Sequence, residues 1–173
     1  MANLGIIIQP YRSTTMSQRL NYFQASPGAL NVLIEMEKYI ASCVKDTKSL
    51  DQTLIELVKM RVSQINGCAY CLDMHSKDAR ALGETEQRLH ALIAWRETPF
   101  YNEQERAALA WAEANTLIHQ QDIHDTLYQA CTKAFSEKQL VDLTLVVTGI
   151  NSWNRFALSF KPEVGSYQVG DFS

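Results

Sequence analysis

Apolar residues recur every three or four positions along most of this chain, as they do in helices that bury one face. The period is clear in the first third of the chain, where Asn66-Gly67 interrupts it. Ser49 followed by Gln52 fits a capping box at the start of the helix before that interruption. The pattern predicts about seven helices, which cover roughly residues 29–44, 50–65, 68–82, 85–95, 103–118, 124–135 and 137–160.

The rest of the pattern favours an all-α fold. Only four prolines and seven glycines interrupt the chain, and no segment shows the strict alternation of a half-buried strand. Residues 1–20 are predicted to be an N-terminal extension, and residues 21–173 one all-α domain. The stretch Ser26-Pro27-Gly28 is predicted to be a loop, and the pair Ser136 and Gln139 a capping box that begins the last helix.

Two predicted helices differ in how their polar residues are distributed. In the helix before Asn66, the positions of Glu56, Lys59 and Ser63 fall roughly opposite the apolar stripe, which predicts that they face solvent. The first half of the last helix is apolar nearly all round, which indicates burial in the centre of the fold or against another subunit. We therefore expect a homo-oligomer.

Charge and the N-terminal residues exclude several classes of partner. The net charge is −3, from 16 basic and 19 acidic residues, and no block of like charge indicates binding to nucleic acid or to an anionic membrane. The N-terminus lacks the features of a signal peptide or a membrane span, so we expect a cytoplasmic protein. Persistent structural disulfides are not expected in that reducing compartment.

The stretch "NGCAYCLDMH" contains the candidate chemistry. Cys68, Cys71 and His75 fall on one stripe of a helix, with both cysteines in or near its first turn. Unpaired N–H groups and the helix dipole there lower a thiol pKa, and a fall from about 8.5 to about 6.5 would raise the thiolate fraction at pH 7 from roughly 3% to roughly 75%. His75, one turn after Cys71, is placed to accept its proton, as nucleophilic thiol chemistry requires.

Simpler interpretations of these residues stay open at this point. Structural zinc needs four ligands, but no second CxxC is present and Cys43 and Cys131 are isolated, as core thiols are. A structural disulfide between Cys68 and Cys71 would close too short a loop to add much stability. A single histidine on an apolar stripe is usually a hydrogen-bonded core residue, although its two thiol neighbours favour function here.

Residues 54–89 resemble the core of the alkylhydroperoxidase AhpD family, within the carboxymuconolactone decarboxylase superfamily. The family pattern is a glutamate, eleven residues, Cys-x-x-Cys, three residues and a histidine, and this chain matches it with Glu56, Cys68, Cys71 and His75. The likeness extends more loosely from about Asn21 to Ala157. It includes the segment that contains Asn151, Trp153, Asn154 and Arg155.

The resemblance implies an all-α homo-oligomer, often a trimer or hexamer, that reduces hydroperoxides with a dithiol. A cellular thiol or dithiol reductant would recycle it, and neither a cofactor nor a metal is implied. By the same resemblance Cys71 attacks the peroxide, Cys68 resolves the product to a disulfide, and Glu56 and His75 form the proton relay. The role of Glu56 follows from the resemblance only, because its position on the helix predicts a solvated side chain.

One residue departs from the best-known members, which have a histidine immediately before the second cysteine. This chain has Tyr70, whose phenol, with a pKa near ~10, is a poor base at neutral pH. We expect Tyr70 to pack against its neighbours. Two alternatives to the peroxidase are a lactone-decarboxylase-like enzyme, which would not need the CxxC, and a non-enzymatic oligomeric module that senses redox state or holds a metal.

Two effects disagree about which sulfur attacks. Cys68 lies nearer the helix start, where the dipole favours the more acidic thiol. Cys71 lies four residues before His75 and has a direct proton acceptor on its own helix. A specific base outweighs a dipole effect of typically ~0.3–1 kcal/mol, so Cys71 is the predicted nucleophile.

Overall fold

A computed structural model describes residues 18–45 and 49–172 of the chain. In these ranges the secondary structure consists of eight α-helices and one 3₁₀ helix, without a strand, which confirms the all-α prediction. The elements are α1 (Tyr22–Ala25), α2 (Pro27–Lys45), α3 (Gln52–Asn66), α4 (Ala69–Ala81), α5 (Glu86–Ala91), the 3₁₀ helix (Leu92–Glu97), α6 (Glu103–Thr116), α7 (Asp125–Ala134) and α8 (Glu137–Phe160).

The predicted extension, residues 1–20, lies mostly outside the described residues. Of its described part, Arg19 contacts the end of α8, since its backbone N–H donates to the carbonyl of Phe160 at 3.0 Å. The division into an extension and a domain at residue 20 stays a prediction. In the part of the chain that the structure describes, none of the helices combines the length and apolar character needed to cross a bilayer.

Two helix starts differ from the prediction. The prediction of a capping box at Ser49 is wrong, because Asp51 caps α3. The Asp51 carboxylate accepts from the N–H of Thr53 and Leu54. The predicted loop at Ser26-Pro27-Gly28 is also wrong in part, since Pro27 begins α2. Proline suits a first helical position, where its missing N–H would have no partner in any case. The short helix α1 was not predicted.

The helix predicted over residues 85–95 is correct only in its first half. Helix α5 ends at Ala91 and a 3₁₀ helix follows, with Ala94 outside helical geometry at φ −118° and ψ 30°. The Arg106 guanidinium donates to the carbonyls of Trp95, Arg96 and Thr98. These tertiary hydrogen bonds satisfy carbonyl groups at the end of the 3₁₀ helix, where Pro99 has no N–H to donate to the Trp95 carbonyl. No local pattern predicts that Arg106 supplies them.

Other helix ends agree with the prediction. Gly83 adopts φ +94° just beyond α4, in the left-handed region that glycine tolerates best. Ser136 and Gln139 form the predicted capping box at the start of α8. The first half of α8 buries one side, with Leu143, Val146 and Val147 in the main core, whereas Val141 on the other side is exposed.

Helix α3 is the centre of the fold, and this overturns one prediction. It packs against α4, α6 and α8, and is therefore buried on nearly all sides. Glu56, Lys59 and Ser63 are all buried, although their positions on the helix predicted a solvent-facing surface. The polar side of α3 consequently lies inside the protein, and its charged groups need partners there.

Candidate active site

Cys68 and Cys71 lie at the junction of α3 and α4 and are joined by a disulfide. Gly67, at φ +70°, ends α3 and reverses the chain, so that the Cys68 N–H reaches the carbonyl of Ser63 at 3.0 Å. Cys68 is then the N-cap of α4, and its Sγ accepts from the N–H of Cys71 at 3.3 Å. Both cysteines are 1% exposed, so the side of α4 that carries them faces the packed interior.

An asparagine network holds the turn that precedes the cysteines. The Asn66 amide donates to the side-chain oxygens of Asn151 and Asn154, at 2.9 Å and 2.8 Å. The Asn154 amide in turn donates to Ser63 Oγ at 3.1 Å, and Asn154 is completely buried. Helix α8 therefore fixes the end of α3 through neutral hydrogen bonds, which gives its asparagines a positioning role relative to Cys68.

Glu56 and His75 form a buried pair across α3 and α4. His75 Nδ1 lies 2.8 Å from Glu56 Oε2, and both side chains are less than 10% exposed. Burial by itself raises the pKa of Glu56, but the charge and hydrogen bond of His75, together with Lys59, outweigh it and lower that pKa below its ordinary value. The structure brings together the two residues that the family resemblance selected, and it overturns the solvated position predicted for Glu56.

Lys59 adds a buried positive charge beside Glu56. Its Nζ donates to Glu37 Oε2 at 2.8 Å, and Glu37 Oε1 accepts from the Trp153 indole at 3.1 Å. Burial alone lowers the pKa of Lys59, yet Glu37 and Glu56 outweigh it and raise that pKa above its ordinary value. Lys59 thus stays charged at neutral pH, paired mainly with Glu37.

Asp78 and Tyr167 extend the cluster, although no sequence pattern identified either of them as a candidate. The Tyr167 hydroxyl donates to Asp78 Oδ1 at 2.7 Å. Potential ligand atoms of Glu56, His75 and Asp78 all lie within 4.8 Å of one another. The spacing of three residues between His75 and Asp78 would have placed them on one face of α4, but nothing in the sequence links them to Tyr167, near the C-terminus.

The pKa of Asp78 reflects this position. Burial raises it above its ordinary value, the nearby Glu56 carboxylate raises it further, and the Tyr167 hydrogen bond, His75 and Lys59 oppose that rise. The pKa of Tyr167 is also raised, by burial and by the Asp78 acceptor. Tyr167 is therefore a neutral hydrogen-bond donor to Asp78 over the physiological range.

The same three residues, Glu56, His75 and Asp78, are the one group in the described ranges with the ligand types and proximity for a shared metal ion. One oxygen of each carboxylate, however, already has a hydrogen-bond partner: Glu56 Oε2 lies against His75, and Asp78 Oδ1 accepts from Tyr167. The group also does not include the cysteine pair. We therefore interpret it as a hydrogen-bonded charge cluster behind the cysteines.

Tyr70 occupies the position between the cysteines and packs against the main core, as expected. Burial raises the pKa of its phenol, and Asp171 and Asp73 raise it further. Tyr70 therefore has no basic form to offer at neutral pH.

Sequence comparison finds relatives over most of the chain. Residues 27–114 match the profile of the carboxymuconolactone decarboxylase family. The chain is also 45% identical over 144 residues to the uncharacterized protein YdfG of Bacillus subtilis strain 168, across 83% of this chain and 95% of YdfG.

Two solved structures are similar to the described fold. One is a protein of unknown function from Agrobacterium tumefaciens, whose name offers it as a candidate antioxidant defence protein AhpD. It has a TM-score of 0.81 and 38% identity, over 87% of this chain and 100% of that one. The other is an uncharacterized peroxidase-related protein from Silicibacter sp. TM1040, with a TM-score of 0.69 and 23% identity, over 83% of this chain and 74% of that one. The second likeness shows the fold alone.

Proposed function

The chain belongs to the carboxymuconolactone decarboxylase family, and on that premise we propose that it is a thiol-dependent peroxidase, or disulfide oxidoreductase, that reduces hydroperoxides with Cys68 and Cys71. Membership confirms the family resemblance of residues 54–89. One observation carries the proposal. The cysteine pair begins the helix on which His75 follows one turn after Cys71, and His75 is hydrogen-bonded to the buried Glu56 at 2.8 Å. A nucleophile, a base and a group that orients the base are thereby aligned.

In the proposed cycle, His75 accepts the proton of Cys71, and the thiolate attacks the outer oxygen of the hydroperoxide. An S–O bond forms while the O–O bond breaks, and the alcohol leaves with the proton from His75, so that Cys71 becomes a sulfenic acid. The Cys68 thiolate then attacks the Cys71 sulfur, an S–S bond forms while the S–O bond breaks, and the hydroxyl leaves as water with a proton from solvent that replaces the one Cys68 lost on ionising. The product is the Cys68–Cys71 disulfide that the structure contains. A thiol or dithiol reductant returns two electrons and two protons.

The local geometry supports Cys71 as the attacking sulfur and Cys68 as the resolving one. The Cys71 N–H donates to Cys68 Sγ at the helix N-terminus, which stabilises a Cys68 thiolate. A thiolate stabilised in this way is less nucleophilic than a thiolate of higher pKa. Cys68 is therefore suited to the second step, whereas Cys71 has His75 as a base for the first.

The proposed enzyme works as a homo-oligomer, a trimer or hexamer, and takes its electrons from a cellular thiol donor. Exposed apolar side chains on α2 and α8 support assembly, since Val32 and Val141 are 66% and 69% exposed. These residues lie on helices that would otherwise present apolar surface to water.

Trapping the intermediate tests the proposal. Reduced Cys68→Ser protein is treated with hydrogen peroxide or cumene hydroperoxide and then with a sulfenic-acid probe, and the labelled site is read by peptide mass spectrometry. We expect labelling at Cys71, because no resolving thiol is left, and almost none in Cys71→Ser protein.

A third variant, Cys131→Ala, is the control. Burial raises the pKa of the Cys131 thiol to about 11, so it is protonated at neutral pH and its loss should not change the labelling. Labelling of Cys68 in the Cys71→Ser protein would exchange the two roles. A sulfenic acid in neither variant would refute the peroxidase function and favour a lactone-decarboxylase-like or non-enzymatic function.

A further inference from the structure

We propose that Asp78 and Tyr167 are positioning residues that form a second arm of the proton relay: the Tyr167 hydroxyl holds the Asp78 carboxylate beside His75, which strengthens His75 as the base for Cys71. The inference rests on the proposed function and goes further, because it assigns a role to two residues outside the family motif. It also gives the segment after α8 a part in the active site.

The first support is geometric. On α4, Asp78 follows His75 by three residues. One of its carboxylate oxygens lies within 4.8 Å of a ring nitrogen of His75 and of a carboxylate oxygen of Glu56. Glu56 occupies the Nδ1 side of the imidazole from α3. The imidazole therefore has a carboxylate from each of two helices near it, and one of these is held by a tyrosine from a third part of the chain.

The second support is the balance of charge around His75. Lys59, from α3, is paired with Glu37 of α2 at 2.8 Å, so these two charges largely compensate each other. The carboxylates of Glu56, which is buried, and Asp78, which is half-buried, are left with an excess of negative charge beside His75. A proton on His75 compensates that excess, which favours transfer from Cys71 to the imidazole.

The third support explains why Tyr167 is needed. Burial and the neighbouring Glu56 raise the pKa of Asp78, which acts against the charged form that the relay uses. The Tyr167 hydroxyl donates to Oδ1 and favours that charged form. Lys77 holds the same segment, since its Nζ donates to the Tyr167 carbonyl at 2.9 Å, so the tyrosine is anchored on the cysteine helix.

The test measures the pH dependence of Cys71 alkylation in the reduced full-length protein. Iodoacetamide modification is followed by tandem mass spectrometry, in which fragment ions separate Cys71 from Cys68 on the same peptide and the peptide mass separates it from the other two cysteines. The variants are Asp78→Asn and Tyr167→Phe. Tyr39→Phe is the matched control, because it removes a hydroxyl that donates to the buried Asp142 at 3.0 Å, in a contact that involves neither the cysteine pair nor its base.

In Asp78→Asn we expect the pH midpoint of Cys71 alkylation to rise by about one unit and the rate at pH 7 to fall about tenfold. Tyr167→Phe should shift the midpoint in the same direction by less, and Tyr39→Phe should not move it. A structural contact would lower thermal stability without moving the midpoint. The Tyr167→Phe result decides the matter if Asp78→Asn does not fold.

Two results would overturn the inference. One is an unchanged midpoint in Tyr167→Phe and in folded Asp78→Asn. The other is a lower midpoint, which would mean that the Asp78 charge acts on the Cys71 thiolate by repulsion and not through His75. Alkylation uses no peroxide, so either result is distinct from failure of the sulfenic-acid experiment, which concerns the peroxidase function alone.

Discussion

Helix α3 contributes to two buried charge clusters that differ in one chemical respect. Toward α4, Glu56 is paired with His75. Toward α6, Arg61 Nε lies 2.7 Å from Glu113 Oε1, and Glu113 also accepts from the Trp95 indole at 2.8 Å and from Arg96. Both carboxylates are buried, but the partners of Glu113 do not release a proton at neutral pH, whereas an imidazole does.

The pKa values show why burial alone does not identify a reactive group. Burial raises the pKa of Glu113, yet the hydrogen bonds from Trp95, Arg96 and Arg61 together lower it below its ordinary value. The pKa of Glu56 is lowered in the same direction by His75 and Lys59. The two sites thus have similar electrostatics. They differ in whether the partner of the carboxylate can exchange a proton, which distinguishes the structural cluster at Glu113 from the relay proposed at Glu56.

The largest effect is expected from Glu113→Gln. It leaves the Arg61 charge, whose side chain is 14% exposed, without its counter-charge, so the free energy of unfolding should fall by about 3 kcal/mol in urea denaturation. Glu86→Gln is the control, because the pair of Glu86 with Arg80 is largely exposed and should contribute less than ~1 kcal/mol. Alkylation of Cys71 should not change. A loss as small as that of the control would contradict the structural role.

The next effect is kinetic and concerns Glu56→Gln. The amide keeps a hydrogen bond to His75 but removes the charge, so Cys71 alkylation near pH 7 should slow by about 100-fold and its pH midpoint should rise. The free energy of unfolding should fall by only about 1–2 kcal/mol, less than for Glu113→Gln, because His75 can remain neutral. Unchanged alkylation kinetics would show that Glu56 has a structural role only.

The smallest effect concerns acid stability. Glu56 and Glu113 have folded-state pKa values below their ordinary value of 4.5, so their ionised forms stabilise the fold above that pH. This stabilisation is lost as the pH falls through the folded-state values. Urea midpoints measured from pH 6 to pH 3 should therefore decline less steeply in Glu113→Gln than in the wild type. An equally steep decline would mean that Glu113 is not a source of the acid sensitivity.

Local features of the sequence predicted most of the helices and the placement of Cys68, Cys71 and His75 along one helix. The spacing of Cys68, Cys71 and His75 determines that they share a stripe of one helix, because 3.6 residues per turn is a property of the backbone. Gly67 and Gly83 bound that helix with positive φ, which follows from the residue type. The capping box at the start of α8 is equally local.

The capping residue of α3 and the break after α5 were not predictable in this way. A cap at Ser49 would start the helix two residues earlier, but Asp51 accepts from the N–H of Thr53 and Leu54, and Ser49 instead donates to Asp142 of α8 at 3.3 Å. Beyond the kink at Ala94, Arg106 donates to the carbonyls of Trp95, Arg96 and Thr98. In both regions a side chain far away in the sequence takes part in hydrogen bonds that local propensity does not predict.

The sequence by itself determined the fold class, the family motif and the order of cysteine, cysteine and histidine along one helix. Only the tertiary structure decided that the polar side of α3 is buried, that Glu56 meets His75, and that Tyr167 reaches Asp78. The reason is physical. Helical periodicity states which residues share a face, but whether solvent or another helix covers that face depends on contacts between residues far apart in the chain.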